Sequence, residues 1–210
     1  MAVDLTVEEQ SMNKARSSLA LFVGLAFVSY AQQGASERED CMRPALLVID
    51  IQNAYLSFMS KEDRESAIQV TNDAIRFFHQ HDLPVIRVYN SDLRWGPKEG
   101  SEGFEYSKKV ILFEDDVRII KHFPNAFTKT GLDSVLRKRG CNTLFLCGLS
   151  ATGCLLATYF GGIERGYKTS LVREGIMSPR TDYTSVIRDI CESVGEQSMF
   201  SIVAGLKGRR

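Results

Sequence analysis

Ala45-Leu46-Leu47-Val48-Ile49 is an uninterrupted apolar run of strand length that stops at an acid, Asp50. A strand with one wet face alternates apolar and polar positions, so a run with no polar position has to be covered on both faces. Parallel sheets sandwiched between helices provide that cover. Comparable short runs at Val85–Tyr89, Val117–Lys121, Thr143–Cys147, Thr169–Val172 and Phe200–Val203 are predicted as five further strands. Helical signals separate them. Ser60-Lys61-Glu62-Asp63 is a capping-box-like start, and Ile68, Thr71, Ile75 and Phe78 follow at helical spacing until Pro84. Leu132–Lys138 before Gly140, the stretch from Cys154 to near Gly166, and Tyr183–Ser193 read as the other helices. Strands alternating with helices imply right-handed βαβ units. The expected class is α/β: three layers, α/β/α, around a central, mostly parallel, six-stranded Rossmann-like sheet.

The 210 residues suffice for one domain with a sizeable core, and no repeat or second domain is visible. Net charge is zero, and no Lys/Arg cluster, the short basic tail Lys207, Arg209 and Arg210 included, is concentrated enough for a nucleic-acid face, which argues against a nucleic-acid partner. The N-terminus stands apart. The basic segment Met12–Arg16 precedes the apolar run Leu19–Val28 and the small residues around Ala31, the order of a secretory signal peptide. The run is short for a membrane span, so no stable membrane insertion of the mature domain is expected. Residues 1–41 are therefore expected to be signal peptide and linker, with Met12 an alternative start, and residues 42–210 the folded domain. A buried N-terminal helix is the other reading. Use of the signal implies a periplasmic or secreted protein; otherwise it is cytoplasmic. Five cysteines without a CxxC pair match no zinc pattern. Export would allow a disulfide between two of Cys41, Cys141, Cys147 and Cys191.

In open parallel sheets ligands bind beyond the carboxyl ends of the strands. Asp50 ends the first strand, Lys121 ends the third, and Cys154 follows the fourth by a short turn, Ser150-Ala151-Thr152-Gly153. Position alone leaves a capping carboxylate, a solvated lysine and a buried thiol open as bland alternatives. A place at the start of a helix, where backbone N–H groups lower a thiol's pKa, favours Cys154 as reactive. Cys147, inside its strand, is read as core.

Three segments in register, "ALLVIDIQNAYL" (45–56), "IIKHFPNAFTKTGLDSVL" (119–136) and "CGLSATGCLLAT" (147–158), resemble the isochorismatase-like cysteine hydrolases, and "RGYKTSLVREGIMS" (165–178) fits the strand that follows. The resemblance runs from about Arg43 to the C-terminus. It implies a catalytic triad of Asp50, Lys121 and Cys154, with Cys154 the nucleophile. It also implies an oxyanion hole from the backbone N–H groups of Ser150 and Cys154, and a cis peptide at Leu149–Ser150. Ala151 stands where that family commonly has threonine, and Thr152 where a polar or acidic residue is common.

The nicotinamidase branch of that family carries a metal on an Asp and histidines in the loop after the second strand. Here that loop, "YNSDLRWGPKEGSEGFEYS" (89–107), has no histidine, so neither a metal nor another cofactor is expected. True isochorismatases commonly lack the cysteine. Its presence implies cleavage of a C–N bond in a small amide, carbamoyl or ureido compound through a thioester. Gln52, Arg94, Trp95, Phe104, Asn125 and Phe127 are candidates for the substrate pocket. Vinyl-ether hydrolysis and a catalytically idle ligand-binding member are the alternative readings. The resemblance further implies a homo-oligomer.

Overall fold

The computed structural model describes residues 41–206. The segment expected to be a signal peptide lies outside them. The order of elements is β1 (Pro44–Ile49), α1 (Asn53–Leu56), α2 (Lys61–Gln80), β2 (Val85–Asn90), β3 (Val117–Lys121), α3 (Leu132–Lys138) and β4 (Thr143–Gly148). A π-helical turn (Ala151–Leu155) then runs into α4 (Leu156–Ile163), followed by β5 (Lys168–Ile176), α5 (Thr181–Ile190), β6 (Ser193–Val194) and α6 (Glu196–Ala204).

The six strands form one sheet in the order β3-β2-β1-β4-β5-β6, with every pairing parallel. β1 is buried along its whole length, as its unbroken apolar run requires. Its alternate residues divide between the two layers. Ala45, Leu47 and Ile49 join Leu132, Leu136, Leu155, Tyr159 and Ile187 in the core under α3, α4 and α5. Leu46 and Val48, equally buried, point to the opposite layer, where α2 packs. That helix starts as its sequence says, with Ser60 Oγ accepting the Asp63 N–H at 3.0 Å. It buries Ala67, Ile68, Thr71, Ala74, Ile75 and Phe78 on one face. Among the described residues no helix is long and apolar enough to cross a membrane.

The C-terminal reading needs correction. Phe200–Val203 is not a strand but part of α6, and the sixth strand is the two-residue Ser193–Val194. A short apolar run fits either structure. Here Met199 and Val203, four apart, are the buried pair, and Phe200 stacks on Phe77 of α2 with centroids 4.3 Å apart. The helix expected over Tyr183–Ser193 accordingly ends at Ile190. Cys141, Cys147 and Cys191 are buried free thiols.

Candidate active site

Strand order reverses between β1 and β4: β2 and β3 lie on one side, β5 and β6 on the other. Chains diverge from that point, which leaves a crevice at the carboxyl ends of the two strands. Asp50 is the first residue beyond β1 and has φ 54, a left-handed conformation that is uncommon for an L side chain and clusters at functional sites. Gly148 ends β4 with φ 116. A Cβ there would lie 2.0 Å from the Ile49 carbonyl oxygen, so only glycine lets the two strand ends approach this closely. The Leu149 N–H then donates to Ile49 O at 2.9 Å, and the Leu149–Ser150 peptide is cis. Met177, just past β5, holds the turn from the other side: its N–H donates to Gly148 O and its carbonyl accepts from Ala151 N.

The structure brings the three expected catalytic residues together. Lys121, 0% exposed, reaches from β3 across the end of β2 and places Nζ 2.9 Å from Asp50 Oδ2. The Cys154 thiol lies near enough to both that the charge of each acts on it. Burial raises the Asp50 carboxyl above its ordinary value, against the pull of the Lys121 charge. Burial alone would lower Lys121, but the negative charges of Asp50 and Cys154 more than offset it and hold the ammonium. Burial, with the Asp50 charge, pushes Cys154 up to about 12, and Lys121 only partly opposes this. The sequence expectation of a lowered thiol pKa is therefore overturned. Cys154 does not begin a regular helix: Gly153, at φ −126 and ψ −111, interrupts the π-helical turn. Loss of water around the thiol outweighs any helix-end effect. The resting arrangement is a protonated thiol beside a buried ammonium–carboxylate pair.

A buried threonine fixes the nucleophile relative to the lysine. Thr158 Oγ1 donates to the Cys154 carbonyl at 2.7 Å and accepts the Ala126 N–H at 3.0 Å. That ties α4 to the Asn125-Ala126-Phe127 segment downstream of Lys121.

The expected pocket residues differ in burial and in the partners they hold. Gln52 is fully buried and its amide is saturated by backbone, donating to Phe104 O and Asn90 O and accepting from Asn90 N. Gln52 also bridges Tyr106, whose hydroxyl donates to Val48 O and Val88 O. This folds the 90–107 loop back onto the sheet and puts Phe104 in the core. Arg94 and Trp95 stand in solvent, Trp95 89% exposed. Asn125 packs on Gly161 of α4 and accepts the Phe127 N–H. Phe127 is buried against Tyr167.

Two residues that do face the triad escaped the sequence reading. Tyr55, on α1, is pushed up to about 12 by burial and then by the charge of Asp50, with Cys154 also contributing. Asn90, at the end of β2, donates from Nδ2 to Tyr55 Oη at 2.8 Å. The signal was available for Asn90, which terminates its strand as Asp50 and Lys121 terminate theirs.

His79 lies elsewhere. His79 Nε2 is 2.7 Å from Asp116 Oδ1, and its ring stacks on Phe113. With Asp115 these form one group whose ligand atoms lie within 4.8 Å of one another, at the amino end of β3 and away from the triad. Asp116 is already engaged by Arg87 and the Phe113 N–H.

Comparisons with known proteins agree on one family. A family model described as "Isochorismatase domain" matches residues 44–189. The chain is 32% identical over 138 residues to the uncharacterized isochorismatase family protein YddQ of Bacillus subtilis, covering 63% of this chain and 77% of that protein. It is 22% identical over 159 residues to maleamate amidohydrolase of Pseudomonas putida, covering 67% and 75%. In fold it is similar to N-carbamoylsarcosine amidase from Thermoplasma acidophilum, with a TM-score of 0.64 at 23% identity over 74% of this chain and 97% of that one. An isochorismatase family protein from Burkholderia thailandensis gives 0.70 at 22% identity over 76% and 94%.

Proposed function

This chain belongs to the isochorismatase family of hydrolases, and we propose that it cleaves a C–N bond of a small amide or carbamoyl compound through a Cys154 thioester, with no metal. The observation that carries the proposal is the buried Lys121–Asp50 pair, 2.9 Å apart, whose two charges both act on the Cys154 thiol. A thiol held up to about 12 is a poor nucleophile until a base takes its proton as it attacks. Asp50 is that base. The thiolate adds to the carbonyl carbon, and its electron pair moves to oxygen. The oxyanion is received by the backbone N–H groups of Ser150 and Cys154.

The intermediate collapses with rupture of the C–N bond, and protonated Asp50 returns its proton to the leaving nitrogen. A water deprotonated by Asp50 then attacks the thioester. The acid leaves, and the sulfur recovers a proton. Lys121 keeps its charge throughout and offsets whichever group is negative. The relatives named maleamate amidohydrolase and N-carbamoylsarcosine amidase favour C–N over C–O chemistry.

Ammonia release from maleamate, N-carbamoylsarcosine and simple aliphatic amides tests the reading. The wild-type protein is expected to release ammonia and a folded Cys154→Ala variant to release none. A folded wild type inactive on the whole panel would overturn the proposal. So would hydrolysis that survives Cys154→Ala but not Asp50→Ala, which would point to vinyl-ether chemistry.

A further inference from the structure

Asn90 sits at the end of the strand that lies between those ending in Asp50 and Lys121. Its register partner is Lys121. Ile86 and Val88, at alternate positions before it, belong to the core under α3 and α4. The Asn90 side chain therefore leaves the sheet on the nucleophile's side, as Lys121 does. Gln52 holds the Asn90 main chain through both its N–H and its carbonyl, at 2.8 and 3.1 Å. The Nδ2 group is held by Tyr55 Oη. What remains is Oδ1, a buried acceptor with no hydrogen-bond partner.

Burying an acceptor without a donor is costly, and such atoms call for an explanation. In the orientation seen, Nδ2 is engaged by Tyr55 Oη and Oδ1 is the atom left over.

We propose that Asn90 Oδ1 receives an N–H of the scissile group and so sets the preference of this site for an amide over the matching ester. The inference rests on the amidohydrolase reading above. With the scissile oxygen on the Ser150 and Cys154 N–H groups, the nitrogen faces away from them, towards Asp50 and Asn90. Asp50 delivers the proton that releases it, and Asn90 accepts one of the hydrogens it already carries. An ester has no such hydrogen and leaves Oδ1 orphaned. A site built to bond an N–H discriminates strongly against the analogue that lacks it. Tyr55 is a positioning residue: it fixes the Asn90 amide and does not touch the reacting atoms.

The test compares kcat/KM for two matched pairs, maleamate against monomethyl maleate and acetamide against methyl acetate, in wild type, Asn90→Leu and Tyr55→Phe. Asn90→Leu should lower amide hydrolysis about ten- to a hundredfold and leave ester hydrolysis within about threefold. Tyr55→Phe, which keeps its ring in the fold, should lower the same amide-to-ester ratio by a smaller factor. Equal losses on amide and ester in Asn90→Leu, with an unchanged ratio in Tyr55→Phe, would make Asn90 a structural residue and overturn the inference alone. A folded wild type that releases ammonia from neither amide nor from N-carbamoylsarcosine would overturn the amidohydrolase reading and this inference with it.

Discussion

Replacing Asp50 by Asn should make Cys154 easier to alkylate while it stops turnover. A thiol at about 12 exists as thiolate in roughly one molecule in 10,000 to 100,000 near neutral pH. Part of that elevation is the Asp50 charge. Two unit charges about 4 Å apart at an effective dielectric of about 20 interact by about 4 kcal/mol, or about 3 pKa units. Asparagine keeps the shape and removes the charge, so the thiolate population should rise about a thousandfold. A less basic thiolate is also a weaker nucleophile, with a Brønsted slope of about 0.5, so the net gain in alkylation rate is about thirtyfold. The buried Lys121 ammonium, deprived of its carboxylate, adds to the effect, because the thiolate becomes its counter-ion. Hydrolysis, which needs the base, should fall at least about a hundredfold. Iodoacetamide labelling at pH ~7.5, followed on the Cys154 peptide by mass spectrometry with Cys154→Ala as blank, measures the first effect. An unchanged or slower labelling rate would refute the reasoning, since it would mean that no negative charge at Asp50 faces the thiol.

The pH profile should carry the same signature. Hydrolysis needs ionised Asp50, whose raised pKa places the acid limb of kcat/KM above the ordinary aspartate range, with activity rising as pH rises through it. Lys121→Met removes the charge that pulls Asp50 down, so the limb of the residual activity should move to higher pH; a limb that stays or moves lower would contradict this. Gly148→Ala forces a Cβ to 2.0 Å from Ile49 O at φ 116, and thermal unfolding should show a loss of about 3 kcal/mol or more. Thr158→Val leaves the Ala126 N–H and the Cys154 carbonyl without their shared partner. It should cost about 1–3 kcal/mol in denaturant titrations and lower kcat more than it raises KM.

Much of this was legible from the chain itself. The unbroken run before Asp50 required a strand covered on both faces, and the structure buries it completely. The strand-end rule put Asp50, Lys121 and Cys154 at one edge of the sheet, where Lys121 and Asp50 pair and their charges act on Cys154. What sequence could not show is how distant segments fold over one another. Gln52 looked like a pocket residue because it follows Asp50 by two positions, yet its amide is saturated by the returning 90–107 loop. Phe104 was carried into the core by the same loop, and Phe127 by Tyr167. The thiol's pKa was misjudged because a helix start is visible in sequence and desolvation is not. Asn90 was passed over as the first residue of a loop; its role depends on lying between two strands that sequence order separates.

The most direct test of the central claim is to trap the covalent intermediate. Acid quenching during turnover of an amide that releases ammonia, followed by peptide mass spectrometry, should find the acyl group of that amide on the peptide carrying Cys154, labile to hydroxylamine as a thioester is. Ammonia release with no acylated Cys154 under conditions that preserve thioesters, or with the acyl group on Cys147, would contradict the account.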